Sequence, residues 1–220
     1  DVLIHAGDIC SRGTLQEFSS EIAWLAKHPH KIKLYVPGNH DKCVETSPTL
    51  CKEMCAEYGI NMLLDSAKVI PTYKFQSDTH YDVRLFGCPH TPEFFNWAFM
   101  QSVEKAERHW SWNSIVYRDE PLFDIWVTHG PPYGWLDKCP DHVGCPSLLK
   151  AVTSVRPRIH LFGHVHEGFG CRVVHKWDDG KKTVFANVAV LDGNYQPATS
   201  PFIFEIDDKQ ITLDNGERIL

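Results

Sequence analysis

Four short apolar runs, each stopped by a polar segment that contains glycine, constrain this chain more than any other feature. DVLIHAG (1–7) leads into Asp8, and KIKLYV (31–36) into Pro37-Gly38-Asn39-His40-Asp41. FDIWV (123–127) leads into Thr128-His129-Gly130-Pro131-Pro132, and IHLF (159–162) into Gly163-His164-Val165-His166. Continuous apolar runs this short, bounded by turn residues, read as strands buried on both faces. In α/β sheets, sites gather at the carboxyl ends of strands. Four such ends of one sheet can therefore present their polar side chains to a common point.

Between these runs the pattern is helical. Thr14 and Glu17 form a capping box ahead of Leu15, Phe18, Ile22 and Leu25, and Pro29 stops that helix. Ser47 caps a second helix that has Pro48 at its first position and Gly59 beyond its end. Residues 101–112 and 147–155 complete the helical readings, the latter closed by Pro157. Short strands are expected at 60–64, 68–70 and 83–88, and after Gly170 at 171–175, 183–186, 201–206 and 211–213. Alternation early and strands late predict an α/β chain with a sheet-on-sheet core flanked by helices. With 220 residues and no internal repeat, a single domain over 1–220 is the expectation.

Composition narrows the function. Lys and Arg number 22 against 28 Asp and Glu, a net charge of −6, which argues against nucleic acid or an anionic membrane as partner. No apolar run is long enough to span a bilayer, and no signal peptide is evident. The eight cysteines are scattered. Cys51 and Cys55 share a helix face, but no second pair completes a zinc-finger spacing, so reduced thiols in a cytoplasmic protein are expected.

The four polar segments hold metal-type donors: the carboxylate of Asp8, the amide oxygen of Asn39, and the imidazoles of His129, His164 and His166. Mixed nitrogen and oxygen donors suit Mn, Fe, Zn or Ni. A carboxylate can bridge two cations, and a pair about 3.5–4 Å apart can clamp a phosphoryl group and acidify a shared water. His40, directly after Asn39, is better placed as a general acid or an electrophile. Asp41 can orient a histidine through a hydrogen bond.

Gly7-Asp8, Gly38-Asn39-His40-Asp41, Thr128-His129-Gly130 and Gly163-His164-Val165-His166, in that order, are similar to the signature of the calcineurin-like metallophosphoesterase superfamily. The resemblance covers nearly the whole chain. Thr128-His129-Gly130-Pro131-Pro132 and Asn194-Tyr195-Gln196-Pro197 resemble its MPPED branch, small cytosolic metallophosphoesterases linked to nucleotides. The resemblance implies a four-layer αββα sandwich and two divalent metal ions. It makes Asp8 the bridging ligand, assigns Asn39, His129 and His164 to the second metal and His166 to the first, and makes His40 the acid. The family pattern starts with Asp-x-His on an earlier strand. This sequence opens on Asp1-Val2-Leu3-Ile4 without Met, so that strand is expected to be missing from it. His5 lies inside its own strand and is no substitute, which leaves Asp8 and His166 for the first metal.

The expected activity is metal-dependent hydrolysis of a phosphodiester by an activated water, on a small phosphoester such as a nucleotide or cyclic nucleotide. The alternative is a nucleotide- or metal-binding scaffold with little turnover. The aromatic groups at 94–97 and 110–112 are expected to be core or lid packing. His142, His160 and His175 read as surface or core histidines, Glu167 as either an outer partner of the His164-Val165-His166 pair or a solvated residue, and Asn187 and Asn194 as turn residues placed to help shape the pocket.

Overall fold

The four runs become strands of two facing sheets rather than one. In a computed structural model, residues 1–73, 80–118, 123–169, 172–207 and 210–213 are described. The first sheet has three strands, β1 (Val2–His5), β2 (Ile32–Tyr35) and β3 (Ile60–Met62), paired parallel in that order. Parallel neighbours need a crossover. Helix α1 (Leu15–Ala26) joins β1 to β2, and α2 (Lys42–Thr46) and α3 (Pro48–Glu57) join β2 to β3.

The second sheet has six strands: β4 (Ser66–Tyr73), β5 (His80–Cys88), β6 (Ile125–Thr128), β7 (Ile159–Phe162), β8 (Arg172–Lys176) and β9 (Lys182–Asn187). Their spatial order is β8-β9-β7-β6-β5-β4. The inner four are parallel, and β4 and β8 run antiparallel at the edges. Helix α4 (Val103–Arg118) follows β5, and α5 (Pro146–Val155) follows β6. A hairpin of β10 (Phe204–Ile206) and β11 (Ile211–Leu213) comes last.

Side-chain alternation along the strands sets the layers. On β2, Leu34 faces the second sheet, where it joins Leu85, Ile125, Val127, Ile159 and Leu161. Tyr35 points the other way, into the layer of Phe18, Ile22 and Leu25 from α1 and of Cys51 and Cys55 from α3. On β6, Trp126 turns outward to Trp110 of α4 and Leu148 of α5. The result is the expected αββα sandwich.

The Thr14–Glu17 capping box does form, with Thr14 Oγ accepting from Glu17 N at 3.2 Å and the Glu17 carboxylate reaching back to the Thr14 N–H, and that carboxylate also takes the N–H groups of Ser11, Arg12 and Gly13. Several other local expectations needed correction. Ser47 makes no side-chain cap, and Pro48 alone marks that start. The helix expected at 101–112 runs to Arg118. The 68–70 strand extends over Ser66–Tyr73, because eight antiparallel pairings with β5 carry it past its apolar centre. Cys171, the expected start of β8, lies outside the described residues. All seven described cysteines are free thiols. No described helix is long and apolar enough to cross a membrane.

Candidate metal centre

The carboxyl ends of β1, β2, β6 and β7 meet along one rim, where the two sheets face each other. Gly7 (φ 105°) and Asp8 (φ 57°) turn the chain sharply after β1. Only glycine fits at Gly7, since a Cβ there would overlap His129 Nδ1 and the Gly38 backbone. A Cβ on Gly38 would in turn overlap the amide nitrogen and Oδ1 of Asp8.

Asp41, fully buried, ties these turns together. Its carboxylate accepts from Gly38 N at 2.7 Å, Asp8 N at 2.9 Å and Cys10 N at 2.9 Å. Hydrogen bonds to an ionised acceptor are the strong ones. Sequence reasoning placed Asp41 behind a histidine. Among the described contacts its oxygens instead take backbone amides of the β1 and β2 turns.

Asp8 is held ligand-side up. Its Oδ1 accepts from His40 N at 2.8 Å, and its Oδ2 lies 3.2 Å from His129 Nε2. His129 is buried and donates from Nδ1 to the Ala6 carbonyl at 2.9 Å. This aims Nε2 at the cluster, 2.8 Å from Asn39 Oδ1. His164, at φ 66°, brings its ring 4.9 Å from that of His129. Donor atoms of Asp8, His129 and His164 all lie within 4.8 Å of one another.

The electrostatics suit a cation. Burial works to raise the Asp8 pKa, but His129 and the His40 amide bring it below the usual carboxylate range. Burial opposes charge on His129, yet Asp8 lifts its pKa above the ordinary value. His164 is pushed down to about 3, by burial first and then by His129. His129 Nε2 thus lies among the Asn39 amide oxygen, the Asp8 carboxylate and the His164 imidazole, a set of donor atoms crowded around one point. A divalent ion would take that place, and the residues present fit one.

His166 sits in a single 3-10 turn, His166–Gly168, outside the cluster of three. Its Nδ1 donates to the Asp192 carbonyl at 3.1 Å, and its ring lies 5.0 Å from Tyr195. His40 donates from Nδ1 to the Ser11 carbonyl at 2.9 Å and lies on Trp97, with ring centroids 4.4 Å apart. Trp97 therefore walls the site, whereas Phe94 and Phe95 are exposed and Trp110 is core.

Three braces go beyond the sequence reading, which gave Asn187 turn chemistry first and a part in shaping the pocket second. Buried Asn187 donates to the carbonyls of Val165 at 2.7 Å and Leu136 at 3.2 Å, fixing the turn that carries His164 and His166. The available signal was a polar residue ending the apolar run KTVFA beside IHLF, where Asn187 pairs with Phe162. Thr128 Oγ donates to Gly130 O at 2.7 Å, so it must accept from His160 Nε2 at 2.8 Å, which tethers the His129 turn from below. Buried Asp137 accepts from Gly134 N and Gly144 N, both at 2.9 Å, and from His142 at 2.6 Å.

The family model described as calcineurin-like phosphoesterase matches residues 1–168. Metallophosphoesterase domain-containing protein 1 of Homo sapiens is 32% identical over 224 residues, covering 94% of this chain and 64% of that protein. A UPF0046 protein of Caenorhabditis elegans is 31% identical over 220 residues, covering 94% of this chain and 73% of that protein. The chain thus spans less than two thirds of the human relative's length. Among solved structures, the TT1561 protein of Thermus thermophilus superposes with a TM-score of 0.53 at 14% identity, over 91% of this chain and 84% of that one, a likeness of fold alone.

Proposed function

This chain belongs to the calcineurin-like phosphoesterase family, and on that premise we propose that it hydrolyses phosphoesters with divalent metal, nucleotide or cyclic-nucleotide phosphodiesters being its substrate class. One observation carries the reading: Asp8, Asn39, His129 and His164 converge from four strand ends on two sheets, with the His129 tautomer fixed by Ala6. Two ions held there, Mn, Fe, Zn or Ni, would acidify a water and polarise phosphoryl oxygens. Asp8, Asn39, His129 and His164 would hold one ion, and Asp8 with His166 would hold the other. His40 keeps its Nδ1 on Ser11, which leaves Nε2 to give a proton to a phosphoryl or leaving oxygen. Asp41 acts by position, holding the Asp8 and Asn39 turns at a fixed separation. The nucleotide preference rests on the likeness to the MPPED relatives.

The test is manganese-dependent hydrolysis of an aryl phosphodiester, alongside the matching monoester. His129→Ala should lower turnover by more than about 100-fold, the upper range for losing a mere outer-shell partner. Unchanged turnover in that variant would sink the reading. A second reading, a binding module with little catalysis, is favoured by the arrangement at this rim, where among the described residues Asp8, His129 and His164 group together and His166 stands apart from them. Nucleotide binding without turnover in the parent chain would select it.

A further inference from the structure

A second group of metal-type donors lies in the layer outside the first, and we propose that Asp65, Cys88, His90 and His109 form a structural zinc site. The four come from different places in the fold. Asp65 lies between β3 and β4, Cys88 ends β5, His90 follows two residues later, and His109 is on α4. His90 Nε2 is 2.9 Å from Asp65 Oδ2. His109 Nε2 is 3.4 Å from Asp65 Oδ1 and 3.5 Å from Cys88 Sγ. All four ligand atoms fall within 4.8 Å of one another.

Geometry favours zinc. Bonds of about 2.0–2.3 Å to O, N and S place neighbouring corners of a tetrahedron roughly 3.3–3.8 Å apart. The observed spacings bracket that range, so an ion enters with side-chain adjustment alone. A thiolate, two imidazoles and a carboxylate are a zinc donor set, and the sulfur disfavours Mg, Ca and Mn.

The donors also carry a local conflict. Asn113 Nδ2 can only donate, so His109 Nε2 accepts from it at 3.1 Å. The same unprotonated nitrogen lies 3.4 Å from Asp65 Oδ1, so two acceptor atoms stand against each other. A cation between them removes that repulsion, and Asn113 keeps its second bond, to the His109 carbonyl at 3.0 Å. Cys88 is fully buried, and burial followed by the Asp65 charge pushes its thiol well up. On binding, the Zn–S bond replaces the S–H bond and the proton leaves to solvent. The His90 and His109 side chains, 19% and 17% exposed, and that of Asp65 at 36%, leave the ion a way in.

The site would pin the segment after Cys88. That segment sets Trp97 against His40, Ala98 N on the Asn39 carbonyl at 3.2 Å and Phe99 N on Glu45 at 2.7 Å. Zinc here would hold the wall of the phosphoesterase centre without sharing a ligand with it, so neither reading depends on the other.

Cobalt substitution separates the two sites, because the first cluster contains no sulfur. Cobalt added to the full chain should develop a near-ultraviolet thiolate charge-transfer band that zinc abolishes. Cys88→Ser should lose the band, and Cys139→Ser should keep it. Zinc bound at saturation should fall by about one equivalent per chain in Cys88→Ser. It should fall equally in His109→Gln, a milder change on the α4 surface that guards against misfolding of the first variant. No band in the parent, a band that survives Cys88→Ser, or equal zinc counts in parent and variants would each overturn the proposal.

Discussion

The two halves of the candidate centre are held by opposite means. On the three-stranded side, Asp8, Asn39 and His40 ride on turns whose N–H groups converge on the Asp41 carboxylate. On the six-stranded side, the imidazoles of His129 and His166 donate to carbonyl oxygens of Ala6 and Asp192, and the Asn187 amide fixes the turn between β7 and the 3-10 helix. The difference follows from what each half supplies. A carboxylate ligand needs its backbone fixed, and amides gathered on a buried anion do that. An imidazole ligand needs one nitrogen protonated and the other bare, and a carbonyl behind the ring does that. Lesions in the first half should therefore damage fold and site together, and lesions in the second should damage the site more than the fold.

Asp41→Ala should be the most severe. It strands three backbone donors and removes a buried anion, at a cost of about 3–5 kcal/mol in urea unfolding. A loss under about 1 kcal/mol would mean water replaces the carboxylate and the contrast between halves is false. Gly38→Ala comes next. Overpacking against Asp8 and His129 should cost about 1–3 kcal/mol. Manganese affinity, read by calorimetry, should fall with it, because the displaced atoms are proposed ligands; loss of stability with unchanged affinity would break the link. Asn187→Ala should be mildest for the fold, at about 1–2 kcal/mol. Its manganese affinity should nevertheless drop about 10–100-fold, as for an outer brace. An unfolding loss as large as that of Asp41→Ala would erase the distinction.

The sequence carried the part of this architecture that is local. IHLF became β7 over Ile159–Phe162, and each of the four runs ended at its polar segment, because an apolar stretch broken by glycine is a short-range signal. Asp8, Asn39, His129 and His164 were legible as donors for the same reason, and the structure brings them together. What escaped was nonlocal. The runs split between two sheets because the chain after β3 opens a new sheet at its edge strand β4 rather than adding a further strand to the first, which no spacing reveals. Asp41 sits beside His40 in sequence but turns to amides 31 and 33 residues away. Asn187 reads as a turn residue until its partners, 22 and 51 residues distant, are in place. Trp97 reads as lid or core, and only the folded chain sets it on His40.

Asp8 and His164 both hold positive φ, at 57° and 66°. A left-handed backbone costs an ordinary side chain about 1–2 kcal/mol, and glycine almost nothing. Glycine at either position would relieve that strain while deleting a proposed ligand. Selection for thermal endurance alone should therefore drift toward steadier descendants at these two positions, ones without the proposed ligands.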